Sequence, residues 1–387
     1  MSNAWPTVSL GELLRLERRP VKVDPSKLYQ EIGIYCFGRG IFHKAPRTGI
    51  EVGDKDLFSM KEADFILQVT FAWEGAIAIV SAAEDGMYGS TRYPTFRVDE
   101  SRCVPHFLLN YFKTPEGLQQ LIKICPGSAG RNRVLSIKRI SEVLVPLPPL
   151  VEQRRVVARI EDLASRIQDA RSLRDQAAEE AEAFMTASIS AHFEKLGKRL
   201  PLGETGACRI ICGQHLNPED QAESGTPYMT GPADFGERIA KPSRFARIVR
   251  ATAEPGDVLL TVKGAGVGKV NLAAPKTCAI GRQLYALRPD RELMDQTFLY
   301  YTLQNGLLHF RDAMTATTVP GIGRKEVEAL QISLPPLPEQ CRIVSELDAL
   351  QGEVGALKRL QAETAAELDA LLPAVLSKAF AGQLIET

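Results

Sequence analysis

The residues that first invite a chemical reading are Gly264-Ala265-Gly266-Val267-Gly268-Lys269, a glycine-rich run ending in lysine. Such runs cradle phosphates when backbone N–H groups face the anion and the lysine reaches it. The spacing fails. A phosphate loop needs glycine where Lys263 stands and serine or threonine where Val270 stands, and a dinucleotide fingerprint needs glycine in place of Lys269. The run lies between two strand-like segments, so a hairpin turn is expected. Other reactive patterns are missing: the sequence has no Asp/Glu-x-Lys nuclease tripeptide, no Asn/Asp-Pro-Pro-Tyr/Phe tetrad, no His-Glu-x-x-His and no Gly-x-Ser-x-Gly. Together these absences favour a binding protein over an enzyme.

The seven cysteines are scattered, and only Cys208 and Cys212 are close, with no second pair at zinc-ligand spacing. Reduced, mostly buried thiols are expected, and no metal. No stretch approaches the apolar length that spans a bilayer, and no basic-then-apolar leader opens the chain, so a cytoplasmic location is expected. Lys+Arg and Asp+Glu number 47 each, for a net charge of zero. That balance argues against a free-standing nucleic-acid binder, although local patches or partners can supply phosphate contacts.

The elements that must position any binding residues are set out by an internal duplication. Pro148-Pro149-Leu150-Val151-Glu152-Gln153 recurs as Pro335-Pro336-Leu337-Pro338-Glu339-Gln340, with five of six positions matching at an offset of 187. Leu10-Gly11-Glu12 recurs as Leu202-Gly203-Glu204, and Phe96-Arg97-Val98-Asp99 resembles Leu287-Arg288-Pro289-Asp290. After each double proline, apolar residues step by three and four: Val156, Ile160, Leu163, Ile167 in the first copy and Ile343, Leu347, Leu350, Val354 in the second. This is the narrow seam of a coiled coil. Each helix should run about 40 residues, or roughly 60 Å, with Gly197 and Gly382 as expected C-caps. Pro373 has no counterpart in the first copy, so a kink or early end is expected near Leu372. Neither narrow stripe can stand alone. The helices are expected to pair with each other, antiparallel if the globular halves sit at opposite ends, or else to serve oligomerisation.

The globular halves read as α+β with irregular antiparallel sheets. Strand-like runs such as Phe65–Val69, Ala76–Val80 and Asp257–Val262 stand between tight turns. Short helices are expected at His106 to Phe112, Pro115 to Ile124 and Asp295 to Phe310. Between the repeated landmarks the halves hardly resemble each other.

The doubled Pro-Pro-Leu-x-Glu-Gln leading into a heptad helix resembles the conserved regions of type I restriction-modification specificity subunits. So does Pro255-Gly256-Asp257-Val258-Leu259-Leu260, followed by Val262-Lys263-Gly264 and Gly268-Lys269-Val270. Tyr29–Ile34, Gly38–Phe42 and Phe71–Ile77 resemble one variety of that family's first recognition domain. The resemblance covers essentially the whole chain, in order. It implies two similar α+β target recognition domains, 1–147 and 198–334, separated by a central conserved helix, 148–197, and a C-terminal conserved helix, 335–387. The helices would form an antiparallel coiled coil within an internal pseudo-two-fold repeat. Each domain would read one half of a split site on double-stranded DNA, and helix length would fix the unread spacer. Two methyltransferase subunits would dock and bring S-adenosylmethionine, and motor-nuclease restriction subunits would join for cleavage. No catalytic residue and no cofactor is expected in this chain.

Under that reading the DNA-binding candidates are polar and basic residues near turns. In the first half they are Arg39, His43, Lys44 and Arg47 after a Gly-rich turn, Ser90, Arg92 and Tyr93, and Arg131, Asn132 and Arg133 in a Gly-containing loop. In the second they are Lys263 and Lys269, Arg282 and Gln283, Arg324 and Lys325, with Gln214 beside them. A solvated charged face is the plainer reading of each cluster, and Trp73 is expected in the core. A non-catalytic coiled-coil adaptor joining two protein-binding lobes is the alternative function, and a cryptic enzyme a third.

Overall fold

The computed structural model describes residues 5–127, 133–264, 266–313 and 321–383, leaving aside the side chains of 218 and 307–313. The chain divides into two compact units, Met1–Arg174 with Ala362–Thr387, and Asp175–Gln361.

In the first unit, strand Thr7–Ser9 pairs antiparallel with Leu144–Pro146. A 3-10 turn at Leu10–Glu12 follows, and the Leu10 N–H donates to the Val143 carbonyl at 2.8 Å. A four-stranded antiparallel sheet runs in the order Ile77–Ile79, Phe65–Leu67, Thr95–Val98, Leu14–Glu17. Helices Pro105–Phe112 and Pro115–Lys123 cover it, each starting on a proline whose missing N–H costs nothing there. Thr114 caps the second, its hydroxyl accepting from the Gly117 N–H at 3.1 Å. Phe65, Leu67, Ile77, Phe96, Leu108 and Phe112 form the core between sheet and helices; each such side chain contributes roughly 1.5–3 kcal/mol by burial.

The second unit repeats this frame. Arg199–Pro201 pairs antiparallel with Gln331–Ser333, the 3-10 turn is Leu202–Glu204, and the Leu202 N–H donates to the Leu330 carbonyl at 2.8 Å. The four-stranded sheet runs Val270–Leu272, Val258–Thr261, Leu284–Pro289, Cys208–Cys212. Helix Gln296–Ala313 covers it. The short helices therefore form where the sequence places them. Gly264, Gly266 and Gly268 lie between the paired strands Val258–Thr261 and Val270–Leu272, with Gly264 at φ +91° and Gly268 at φ +81°; those left-handed positions account for two of the glycines, and a Cβ at Gly266 would collide with the Pro232 side chain, so none needs a phosphate.

Outside the frame the halves differ. The first adds a three-stranded sheet and two separate hairpin-like pairs, Leu28–Tyr29 with Arg47–Thr48 and Ile32–Ile34 with Ile41–His43. The second adds one five-stranded mixed sheet, in which Thr226–Met229 runs parallel to Cys278–Ile280.

The long helices span Leu150–Glu194 and Leu337–Phe380. In the first unit Val156, Val157 and Ile160 cluster with Leu376 and Ala379, and Arg171 meets Asp369 at 2.8 Å. In the second unit Met185, Ile189 and Phe193 belong to one core with Val354, Leu347 and Ile343; Lys358 meets Glu182 at 2.6 Å, and His192 meets Glu346 at 2.9 Å. Numbers rise along one segment as they fall along the other, so the helices are antiparallel within each unit. No helix among the described residues is long and apolar enough to cross a membrane.

Two helix-end expectations need correction. The second helix does not stop near Leu372: it continues through Pro373 to Phe380. The anchoring is tertiary, since Leu376 and Ala379 are buried beyond the proline and outweigh the lost backbone hydrogen bond. Gly382 takes the left-handed C-cap conformation, φ +73°. Gly197 is not among the positive-φ glycines, and the first helix ends without that motif.

The recurring glutamine joins frame to helix in both units. Gln153 is fully buried; its Oε1 accepts from the Val104 N–H at 2.8 Å, and its Nε2 donates to the Arg102 and Pro148 carbonyls at 2.9 and 2.8 Å. Gln340 repeats the pattern on the Asp295 N–H and on the Leu293 and Pro335 carbonyls, all at 2.8 Å. The loop before each frame helix is thereby tied to the first turn of a long helix.

Candidate nucleic-acid interface

In the first unit the basic candidates collect on the accessory strands, and a buried carboxylate organises them. Glu31 is 1% exposed and forms ion pairs with Arg47 and Lys55, with the Lys44 ammonium 3.8 Å away. The Lys44 ammonium lies 5.4 Å from the Tyr93 ring centroid. Burial pushes the Lys44 ammonium below its ordinary value, with Glu31 opposing. Burial and Glu31 both raise the Tyr93 phenol. Arg92 is exposed, its carbonyl accepting from the Val69 N–H at 3.0 Å, and Ser90 ends the strand Tyr88–Ser90. The structure thus brings Lys44, Arg47 and Tyr93 together around Glu31. His43 is engaged differently, with Nε2 2.9 Å from Glu84 Oε1. Arg39 is exposed on a separate hairpin tip. Arg133 lies over Trp73, 5.5 Å from the ring centroid, and Trp73 is half-buried, its Nε1 donating to the Thr70 carbonyl at 3.1 Å. Arg131 and Asn132 lie outside the described residues.

Sequence reasoning missed Glu31 and Lys55. A glutamate beside a strand looks like any exposed charge until pairing buries it. The consequence is electrostatic: Arg47 and Lys55 are held at fixed positions, with about one negative charge beneath three cations, so the patch remains net positive. Burial raises the Glu31 carboxyl, but hydrogen bonds from Lys55 and Arg47 outweigh it and leave the group below its ordinary 4.5. A depressed folded value stabilises the fold above 4.5, and that contribution is lost as pH falls through the lower folded value. The Glu31→Gln variant should lack this contribution. Unfolding midpoints measured against pH should therefore fall more steeply below 4.5 for the natural protein than for the variant, converging in acid. Parallel curves would contradict the pairing.

In the second unit backbone ties bring four candidate groups to one edge. The Gln214 N–H donates to the Ile280 carbonyl at 3.1 Å, beside Gly281, Arg282 and Gln283. The Gln283 carbonyl accepts from the Val262 N–H at 2.8 Å, next to Lys263, and Lys263 bridges to Gly321, which precedes the helix Arg324–Glu328. Gln214, Lys263, Arg282, Gln283, Arg324 and Lys325 are all exposed. Arg324 is partly neutralised, its Nε donating to Glu328 at 2.7 Å. Lys269 instead lines a cavity of about 470 Å³, with Glu182, Tyr300 and Lys358 among its other walls. Arg244, not singled out from the sequence, is held by Thr230 and by Asp234 at 3.3 Å, and Asp234 is buried. The signal for it was weak, one arginine in a run of several.

Nothing in either cluster has the geometry of a nucleophile beside a base. Both offer cations, amides and hydroxyls on a rigid frame, which suits contact to phosphates and base edges.

A family model described as the type I restriction modification DNA specificity domain matches residues 3–174 and 205–364. A chain solved for the structural basis of complex assembly and conformational transition of the type I R-M system is 32% identical, with TM-score 0.80 and 98% of each chain covered. The HsdS subunit from Thermoanaerobacter tengcongensis is also 32% identical, with TM-score 0.64, over 99% of this chain and 98% of that one. The type I restriction enzyme EcoBI specificity subunit of Escherichia coli is 20% identical over 286 residues, covering 65% of this chain and 60% of that one.

Proposed function

The chain belongs to the type I restriction modification DNA specificity family, and from that premise we propose that it reads a bipartite sequence on double-stranded DNA, one half-site per globular domain. The domains are 1–147 and 198–334. The helical segments 148–197 and 335–387 act as a ruler that fixes the spacer and as the docking surface for two methyltransferase subunits. Those partners bring S-adenosylmethionine and the methyl transfer, and motor-nuclease subunits bring cleavage. This chain contributes recognition only.

One observation carries the reading. The two halves share a frame of sheet, terminal strand pair and buried glutamine, yet diverge in the accessory strands. A protein that holds two different half-sites at one spacing needs that combination: equal mounts and unequal reading surfaces. The polar groups on those surfaces favour DNA over a protein partner, because Arg and Gln match guanine and adenine edges.

The test assembles the chain with its methyltransferase subunits and maps methylated bases by long-read sequencing. A discrete split motif is expected. Arg92→Ala should relax one half of it and Arg282→Ala or Gln283→Ala the other, each by about tenfold in discrimination. Lys263→Ala, where it removes a phosphate contact, should lower the salt slope of binding by about one. The absence of any split motif, or variants of one domain relaxing both halves equally, would overturn the proposal.

A further inference from the structure

We propose that the hairpin tip Tyr35–Gly40 is a stacking platform for a DNA base, with Phe37 as the ring that meets it; the inference rests on the DNA-reading assignment above and adds the residue that disturbs the duplex. The tip joins the paired strands Ile32–Ile34 and Ile41–His43 and is closed by the Tyr35 N–H donating to the Gly40 carbonyl at 2.9 Å. Phe37 is 69% exposed and sits at φ +62°. That left-handed conformation strains any side chain with a Cβ, and glycine would occupy it freely. Gly38 and Gly40, its neighbours, do so at φ +62° and +90°.

The strain is held in place. The Phe37 N–H donates to the Glu74 carbonyl and the Gly38 N–H to the Gly75 carbonyl, both at 2.8 Å, and the Cys36 thiol lies 3.1 Å from the Glu74 carboxylate. The Arg39 guanidinium lies 5.6 Å from the Tyr35 ring centroid and 5.8 Å from that of Phe37, and its Nε donates to the Cys36 carbonyl at 3.2 Å. Tyr35 is 46% exposed.

A phenyl ring here costs the fold twice. It strains the backbone, and it leaves apolar surface in water that glycine would not expose. The contact with the Arg39 guanidinium leaves most of the ring in water and repays little of either cost, so the return lies outside the chain. The chemistry of the tip selects the partner. A flat aromatic face edged by a guanidinium suits a nucleobase with its adjoining phosphate: the ring takes the base face and the arginine the anion. In a duplex that face is covered by its neighbour, so Phe37 must meet a base at a partly unstacked step.

The experiment uses the full chain assembled with its methyltransferase subunits and a short duplex carrying the mapped motif, with 2-aminopurine placed at successive positions. Fluorescence should rise at the target bases that the methyltransferase subunits flip out and, with the natural protein, at one further step. Phe37→Gly should abolish that further rise, keep those at the target bases, and weaken specific binding by roughly tenfold to a hundredfold, while its thermal midpoint holds or rises. Phe37→Tyr should keep both the rise and the affinity. Native affinity and fluorescence in Phe37→Gly would overturn the inference, and so would a loss that merely follows failed methyltransferase assembly. The two proposals fail separately. If the natural complex binds no specific sequence, the DNA-reading assignment falls. If it binds specifically and responds to Arg92→Ala but not to Phe37→Gly, only the stacking platform falls.

Discussion

Replacing Asp64 or Asp257 by alanine is expected to remove about 3–5 kcal/mol from the unit that holds it. Asp64 is fully buried, accepts from Arg19 at 2.6 and 3.1 Å and from the Lys61 N–H at 2.8 Å, and lies 3.2 Å from Arg97 Nε. Asp257, 1% exposed, takes a two-pronged contact from Arg288 at 2.9 and 3.0 Å and the Glu254 N–H at 2.8 Å. Each carboxylate stands just before a central strand of the four-stranded sheet, and its arginine, Arg97 or Arg288, lies on the strand beside it. Alanine would take from Arg19 and Arg97, or from Arg288, the buried carboxylate between them and the sheet, leaving Glu17 or Glu254 as acidic partner, and would leave the turn N–H without its acceptor. The arginines keep 22–30% of their side-chain surface in water, which draws the expected loss toward the lower end of the range. Asparagine should lose less, since it still accepts from the turn N–H. Denaturant unfolding followed by hydrogen exchange, read separately over residues of each unit, measures the effect. An alanine variant within 1 kcal/mol of the natural protein would mean that packing alone sets the sheet, against the usual cost of breaking a buried pair.

This pair of carboxylates was half legible in the sequence. The duplication already aligns Arg97 with Arg288, and Asp64-Phe65-Ile66-Leu67-Gln68-Val69 matches Asp257-Val258-Leu259-Leu260-Thr261-Val262 in residue type, yet nothing local says that either aspartate is buried or which arginine it meets. The frame in general was readable because its signals are local: proline before a helix, glycine in a hairpin, apolar steps of three and four. The accessory strands were not, being two to four residues long and fixed by partners far along the chain. Leu28–Tyr29 pairs with Arg47–Thr48 across the separate hairpin between them, and no periodicity of two residues announces that.

Charge was legible as type but not as state. Arg47 and Arg92 look alike in sequence. One is tied to a buried glutamate and the other is exposed, which makes Arg92 the freer hand for a phosphate or base. The same holds for Arg324, paired within its own helix turn, against the exposed Arg282. Pro373 misled for the opposite reason. Its local rule is sound, but buried residues on the next turn hold the helix together, and tertiary packing decides such contests.

Gln153→Ala and Gln340→Ala should each cost about 3 kcal/mol, by taking the amide partner from one N–H and two carbonyls in each unit. Both side chains occupy seam positions, three residues before Val156 and Ile343, where apolar residues are the rule. A polar residue kept on the seam in both copies is the trace of a buried role, and the geometry supplies it: one N–H and two carbonyls satisfied by a single amide in each unit. Alanine mixes two losses, a cavity and three hydrogen bonds. Methionine, close in volume, restores the filling and leaves the bonds broken, so Gln153→Met should retain most of the destabilisation; recovery of full stability would assign the effect to packing. Exchange of the Val104 and Asp295 amides gives the local readout, accelerating in the corresponding variant before the rest of its unit. A mechanical consequence follows if the helices are a ruler. The amide fixes each frame to the first turn of a long helix, so its loss should loosen the mount without altering the reading surface. Methylation mapped with the variant should then keep both half-sites and admit spacers one base pair longer or shorter, whereas a merely destabilised subunit would lower methylation at the native spacing alone.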